Sequence, residues 1–114
     1  MKRLKVALIG NPNAGKSSLF NYLTGLNQKI GNFPGVTVDK KTGVSVLSST
    51  VQADIIDLPG TYSIYPRSVD EQVVFDYLTE TLRNETPDIL VVVVDASNFK
   101  RNLLLFTQVK DLGF

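Results

Sequence analysis

Apolar residues occur along the chain in short runs and in stripes at helical spacing. Residues 4–9 form a mainly apolar run bounded by Gly10 and Pro12, a pattern that predicts a central strand covered on both faces. Residues 16–24 carry apolar side chains at helical spacing and are followed by Gly25, which predicts a short helix with a glycine cap. The chain therefore opens with a strand and a helix.

The middle of the chain contains a stretch without periodicity and a pair of strands. Residues 26–38 are rich in Gly, Asn and Pro, so we expect a functional or mobile loop there. Val44 and Val46 alternate with polar neighbours, and a mainly apolar run over residues 51–58 follows. This pattern predicts an antiparallel hairpin whose second strand ends at Asp57.

The last third of the chain predicts helix, strand and helix. Ser68 and Glu71 have the spacing of a capping box before an apolar stripe, so we predict a helix of about four turns that ends near Pro87. Residues 89–94 predict an apolar strand and residues 98–112 a final helix. Strands that alternate with helices predict an α/β fold, with a mostly parallel sheet and one antiparallel hairpin strand.

Composition limits the classes of function. The formal net charge is +1 and the basic residues are scattered, which argues against a nucleic-acid or lipid surface. There is no Cys and no His, so disulfides, thiolate metal sites and imidazole chemistry are excluded. The longest aliphatic run is far shorter than the ~20 residues that span a bilayer. We expect one domain over residues 1–114 that does not enter the membrane.

We also expect this domain to be truncated after its third helix, because the last parallel strand keeps an uncovered edge.

The segment from Gly10 to Ser17 fits the phosphate-loop pattern G-x-x-x-x-G-K-[ST]. It lies between a predicted strand and a predicted helix, as this motif requires. Backbone N–H groups of the turn and of the helix N-terminus would hold phosphates, Lys16 would reach the outer phosphates, and the Ser17 hydroxyl would bind Mg²⁺. A glycine-rich turn with an exposed lysine is the simpler alternative.

The tetrapeptide from Asp57 to Gly60 ends an apolar strand, where α/β folds collect their ligands. We expect Asp57 to support Mg²⁺ through water and the Gly60 N–H to sense the γ-phosphate. Thr37 is a candidate second hydroxyl ligand for Mg²⁺, and its contact would make residues 31–39 and 60–68 switches. Each motif taken alone also fits an ordinary turn.

Three features that are common in GTPases are missing from the sequence. Thr61 stands where many small GTPases have a Gln that orients the attacking water. Arg67 and Arg101 could serve as an internal arginine finger, but each is better explained as a solvated surface charge. No Asn-Lys-x-Asp motif is present to read guanine. The sequence therefore shows no residues that would select guanine over adenine.

The chain resembles the G domain of the ferrous iron transport protein B family in four segments that together cover most of its length. These are GNPNAGKSSLFNYLTG from Gly10, NQKIGNFPGVTVDKKTG from Asn27, IIDLPGTYSIYP from Ile55 and VVVVDASNFKRNLLLFTQ from Val91. Related tRNA-modifying and ribosome-assembly GTPases share the phosphate loop. They usually have Thr-Arg-Asp where this chain has Thr-Val-Asp from Thr37, so the iron family is favoured.

The resemblance implies a P-loop NTPase of the Ras-like G-domain type that binds GTP and GDP with Mg²⁺ and hydrolyses GTP. It further implies a switch for a bacterial ferrous iron transporter at the cytoplasmic face of the cell membrane, with a permease domain later in the parent chain. Activation by K⁺ is also implied, through the Asn13 amide oxygen and backbone carbonyls near Gly31 and Phe33. Phe33 replaces a Trp that many members carry.

The expected catalytic residues are Lys16, Asn13, Thr37 and Gly60. The expected nucleotide-binding residues lie in the three motifs described above, and they are Gly10, Asn11, Pro12, Asn13, Ala14, Gly15, Lys16, Ser17, Ser18, Gly35, Val36, Thr37, Val38, Asp39, Asp57, Leu58, Pro59 and Gly60. Two other functions stay open. One is a P-loop ATPase or kinase, and the other is a non-catalytic phosphate-binding module that associates through its uncovered edge. Oligomerisation is left open as well.

Overall fold

The structure is a computed structural model that describes residues 2–11, 15–33, 35–61, 68–79, 87–94 and 99–111, with the backbone alone for residues 99–103 and 111. The described residues form, in chain order, β1 (Lys2–Gly10), α1 (Lys16–Thr24), β2 (Gln28–Asn32), β3 (Asp39–Val46), β4 (Val51–Asp57), α2 (Val69–Leu78), β5 (Ile89–Val93) and α3 (Phe99–Asp111).

The strands form one sheet in the order β2-β3-β4-β1-β5. Strand β1 pairs in parallel with β4 and β5, whereas β3 is antiparallel to both β4 and β2. This arrangement confirms the predicted α/β fold with an antiparallel hairpin. Because β1, β4 and β5 run in the same direction, Gly10, Asp57 and Val93 end at the same edge of the sheet, the edge at which α/β folds bind ligands.

Alternation along β1 explains why the sheet is covered on both faces. Leu8 packs into a cluster with Phe20 of α1 and with Ile55 of β4. The neighbouring Ala7 and Ile9 belong to a second cluster on the opposite face, together with residues of α2 and α3. Successive strand residues point to opposite faces, so a continuous apolar run is what a central strand between two helical layers needs.

Strand β2 is the main correction to the sequence analysis, because its residues lie within the stretch predicted to be a loop. Gln28–Asn32 pairs with β3 over five residue pairs, from Gln28 opposite Gly43 to Asn32 opposite Asp39. Four of its five residues are exposed and the fifth is intermediate. A strand with little burial carries no hydrophobic alternation, so its identity comes from hydrogen bonding to a distant partner. The irregular part of the predicted loop reduces to the connection between β2 and β3.

Helix α2 begins as predicted and ends earlier. The Ser68 hydroxyl accepts a hydrogen bond from the Glu71 N–H at 3.2 Å, the expected N-cap contact. The helix ends at Leu78 and Thr79 is its C-cap, with its hydroxyl and its N–H both donating to the Phe75 carbonyl. The N–H bond is the regular helical one, whereas the hydroxyl bond to the same carbonyl is a side-chain bond of the kind that slightly destabilises helices. The prediction of about four turns was therefore too long for the described part, and residues 80–86 lie outside it.

Strand β5 lies at the edge of the sheet, as predicted for the last parallel strand. Ile89 at its start is 45% exposed, and Val94 just after its end is 47% exposed. Within the described ranges, the helices are all too short or too polar to span a bilayer.

Candidate functional site: a phosphate-binding cavity

The phosphate loop begins where β1 leaves the sheet. A Cβ atom on Gly10 would lie 2.8 Å from the Val93 carbonyl oxygen of β5, closer than real Cβ atoms approach, so this position requires glycine. Gly15, the N-cap of α1, has a φ of 84° in the left-handed region, which glycine adopts without steric cost. Pro12, Asn13 and Ala14 lie outside the described residues. The two glycines thus fix both ends of the loop.

Helix α1 starts at Lys16, directly behind the loop. Its first turn contains no acidic residue, and no side chain caps it. The first N–H groups of a helix have no partner within the helix, and they carry the positive end of its dipole. Ser17 and Ser18 are exposed at this end. An uncapped N-terminus of this kind is suited to binding an anion.

Lys16 and Asp57 form a buried ion pair at the centre of the site. The Lys16 ammonium donates to Asp57 Oδ1, and the two side chains are only 8% and 4% exposed. Charges buried this deeply are stable only when they are paired. The pair joins the phosphate loop to the end of β4, 41 residues later in the chain.

Two backbone hydrogen bonds hold the segment after Asp57 against β1. The Leu58 N–H donates to the Leu8 carbonyl at 3.1 Å, and the Thr61 N–H donates to the Gly10 carbonyl at 2.9 Å. These bonds continue the β1–β4 pairing past the end of the strand. They place Gly60 beside the phosphate loop.

Most of the predicted site residues that the structure describes line two adjoining cavities, which share Lys16, Ser17, Gly60 and Asp70. Gly10, Gly35 and Val36 line neither cavity. One has a volume of 580 Å³ and the other 330 Å³. The larger is lined by Asn11, Gly15, Lys16, Ser17, Ser18, Gly60 and Asp70. The smaller is lined by Lys16, Ser17, Thr37, Val38, Asp39, Lys41, Asp57, Leu58, Pro59, Gly60 and Asp70. The three motifs that are far apart in sequence therefore meet at one place.

The donor set fits a magnesium-bound polyphosphate. Lys16 and the α1 N-terminus supply positive charge, while Ser17, Thr37 and Asp57 supply the oxygen ligands that Mg²⁺ prefers. Asn11 lies beside them, 2% exposed, and neither its amide oxygen nor its amide nitrogen has a partner in the described structure. Native proteins seldom bury an amide without a water, ion or ligand to bond it.

Several predicted residues lie away from these cavities or outside the described parts. Gly31 lies in the exposed strand β2, and Phe33 is buried in the core cluster on the α2 face. The Phe33 carbonyl accepts a hydrogen bond from the Val36 N–H at 3.3 Å, and Gly35 has a φ of 77°. Neither Gly31 nor Phe33 lines either cavity. Asn13 and Arg67 are outside the described residues, as is the side chain of Arg101.

Thr61, at the position of the missing glutamine, has a structural contact. It is 1% exposed, and its hydroxyl donates to the Glu71 carboxylate of α2 at 3.0 Å. This bond ties the segment after Asp57 to the first turn of α2. A side chain held in this way is not free to orient a water in the cavity.

Sequence reasoning missed two residues that line the cavities, Lys41 and Asp70. Lys41 reaches the site because it lies opposite Asp57 in the β3–β4 register, and Asp70 because α2 begins beside Gly60. Both placements depend on long-range packing, so no local motif marks them. A separate groove of 700 Å³, at the other end of the sheet, contains none of the predicted site residues.

The strand–loop–helix unit and the cavity shared by Lys16, Thr37 and Asp57 define a G domain of the P-loop class. The chain belongs to the ferrous iron transport protein B family, whose model FeoB_N matches residues 4–114. This membership confirms the resemblance seen in the sequence.

Known proteins agree with this assignment along nearly the whole chain. It is 48% identical to the Fe(2+) transporter FeoB of Methanocaldococcus jannaschii and 46% identical to that of Salmonella typhimurium, over 99% of its length in each case. Its structure is similar to the G domain of the T. maritima FeoB iron transporter, with a TM-score of 0.87, 43% identity and 96% of this chain covered. It is also similar to a GDP-bound variant of S. thermophilus NFeoB, with a TM-score of 0.84, 47% identity and 99% of this chain covered.

The chain corresponds to only part of each of these relatives. It spans 16% and 14% of the two transporters. It spans 66% of the T. maritima G domain and 41% of the S. thermophilus chain.

Proposed function

We propose that this chain forms the phosphate-binding part of a GTPase switch that binds GTP and GDP with Mg²⁺, hydrolyses GTP and controls a ferrous iron transporter. The observation that carries this proposal is that Lys16 and Ser17 of the phosphate loop line the same 330 Å³ cavity as Thr37 and Asp57. The GDP-bound structure of a relative that is 47% identical supports the choice of guanine nucleotide.

Phosphate binding would use groups that the structure holds in place. The α1 N-terminus and the backbone of the loop offer N–H donors, and Lys16 offers a charge that pairs with Asp57 in this structure. When phosphates enter, Lys16 turns from the carboxylate to the phosphate oxygens. Mg²⁺ held by Ser17, Thr37 and Asp57 would neutralise charge on the outer phosphates.

Hydrolysis has to proceed without a glutamine at position 61. We propose that the Gly60 N–H, fixed beside the phosphate loop, is aimed at the γ-phosphate. By family resemblance, Asn13 and the carbonyls of Gly31 and Phe33 would hold K⁺, which would supply the positive charge that an arginine finger supplies elsewhere. The Phe33 carbonyl accepts one hydrogen bond from the Val36 N–H here, which leaves its second lone pair for K⁺. Because neither Gly31 nor Phe33 lines the cavities, this K⁺ site would require the β2–β3 connection to move towards the phosphates.

The switch would be the pair of segments that reach the γ-phosphate side of the cavity. Thr37 is exposed on the β2–β3 connection, and Gly60 leads towards α2. Contacts of Thr37 and Gly60 with the γ-phosphate would order both segments, and hydrolysis would release them. In the parent transporter we place this segment at the cytoplasmic face of the membrane, followed by the permease domain.

A titration of the 114-residue chain with a fluorescent guanine nucleotide in Mg²⁺ and K⁺ tests the proposal, with GTP and ATP as separate competitors. We expect saturable binding that GTP displaces. Lys16→Ala should abolish it, while Lys29→Ala, the loss of an exposed lysine on β2, should leave it unchanged. Phosphate release from GTP, measured with and without K⁺, tests hydrolysis.

The two competitors separate the alternatives. Equal displacement by GTP and ATP would indicate that these residues bind the phosphates and do not distinguish the bases. Preferential displacement by ATP would contradict the proposal and favour a P-loop ATPase or kinase. Binding that survives in Lys16→Ala would show that the assigned cavity is not the binding site.

A further inference from the structure

Asp57 has a second lysine beside it that the proposed function does not use. Lys41 of β3 lies directly opposite Asp57 of β4 in the antiparallel register. Side chains of directly opposed residues are on the same face of the sheet, with Cβ atoms ~4.5–5.5 Å apart. Lys41 is partly buried and lines the same cavity as Asp57 and Lys16.

The face of the sheet confirms this placement. Gly43, two residues after Lys41, faces α1, since a Cβ atom there would meet the Thr24 side chain. Ile55, two residues before Asp57, packs with Phe20 of α1. Because alternate strand residues share a face, Lys41 and Asp57 both point to the α1 side, where Lys16 is. Asp57 therefore lies between two lysines that come from different elements.

The two lysines differ in what they contact. Lys16 is buried and holds the Asp57 carboxylate, whereas Lys41 makes no ion pair with any described residue. Once Lys16 turns to a phosphate, Asp57 is left as a buried carboxylate without a partner, which is strongly unfavourable. Bound Mg²⁺ would compensate this charge, but before Mg²⁺ binds and after it leaves the charge needs another partner.

We propose that Lys41 is a positioning residue that takes over the Asp57 carboxylate whenever Lys16 leaves it. It holds the Asp57 carboxylate in place while the phosphates are bound, before Mg²⁺ arrives or after it departs. The nucleotide-linked part of this inference rests on the proposed function. The exchange of lysines itself does not, because it follows from the ion pair and the strand register.

A double-variant cycle in the nucleotide-free chain tests the exchange directly. Lys16→Met, Lys41→Met and the double variant are compared with the parent by urea unfolding, followed by circular dichroism. Each single variant leaves one lysine for Asp57, whereas the double variant leaves none. If the two lysines acted independently, the fold-losses of the two single variants in the folding equilibrium constant would multiply. We expect the folding equilibrium constant of the double variant to fall at least about fivefold further than that product. Adding Asp57→Asn should remove that excess, and Lys41→Arg should behave as the parent does.

Nucleotide binding with and without Mg²⁺ tests the role in the site. In EDTA, Lys41→Met should weaken binding of fluorescent GDP about tenfold, and in excess Mg²⁺ the loss should fall below about threefold. Lys29→Met, which removes the same charge from exposed β2, should change neither value.

The outcomes are distinct. Independent, multiplicative losses in the unfolding cycle would overturn the exchange. An equal loss of affinity with and without Mg²⁺ would show that Lys41 contacts the nucleotide itself, which contradicts a role through Asp57. Failure of the parent chain to bind nucleotide would refute the proposed function, and the unfolding cycle would still decide the exchange.

Discussion

Replacing Gly10 by alanine tests the close contact between the phosphate loop and β5. The added methyl group would lie 2.8 Å from the Val93 carbonyl oxygen and 3.3 Å from Val93 Cβ. The nearest atom is backbone within a strand paired to β1, so it cannot rotate away as a side chain could. The strands must separate locally instead.

The cost can be estimated from other overpacked sites. Inserting a methyl group into a close-packed region typically costs about 1–3 kcal/mol. With a urea dependence of about 1–3 kcal/mol per molar for a small protein, we expect the unfolding midpoint of Gly10→Ala to fall by roughly 1 M. Nucleotide affinity should fall as well, because the loop begins at this residue.

Gly31→Ala is the matched control for this experiment. Gly31 lies on exposed β2, and a Cβ atom there meets nothing within 4 Å. Its φ is not in the left-handed region, so alanine should leave stability unchanged or raise it by up to ~1 kcal/mol. Equal unfolding midpoints for Gly10→Ala and Gly31→Ala would refute the contact.

Three further predictions concern the core and the cavity. Phe20→Ala removes a fully buried side chain between α1 and the sheet, and should lower the free energy of unfolding by about 3–5 kcal/mol in urea titrations. Asp70→Asn removes a negative charge from the wall of the phosphate cavity, so fluorescence titration should show tighter nucleotide binding, with a larger gain at low salt; weaker binding would contradict the placement. Thr37→Ala should lower affinity for a non-hydrolysable GTP analogue in Mg²⁺ and leave GDP affinity unchanged, because only the γ-phosphate state uses that hydroxyl.

Elements with a strong local pattern could be predicted from the sequence. The apolar run of β1, the stripe of α1 and the hairpin of β3 and β4 are found where the pattern indicated. The phosphate loop and Asp57 could also be predicted to meet, because parallel strands end at a common edge. Local pattern and tertiary structure agree for these segments, as expected of minimally frustrated sequences.

The features that could not be predicted depend on contacts between distant residues. Strand β2 is exposed, so its side chains carry no hydrophobic alternation and only its pairing with β3 defines it. Lys41 lines the cavity because the β3–β4 register places it opposite Asp57. A shift of that register by one residue would turn the Lys41 side chain to the other face of the sheet. The Lys16–Asp57 pair was not foreseen, because both residues were assigned to ligands rather than to each other.

The central position of β1 affects how the site can assemble during folding. Its partners are remote in sequence: Lys2 pairs with Val51 of β4, and Gly10 pairs with Val93 of β5. Loop closure over such separations makes parallel pairing slow. During synthesis, the phosphate loop leaves the ribosome well before β5, the strand that fixes its first residue. Nucleotide therefore has no formed phosphate site on the nascent chain until β5 has joined the sheet, and binding then stabilises the paired strands.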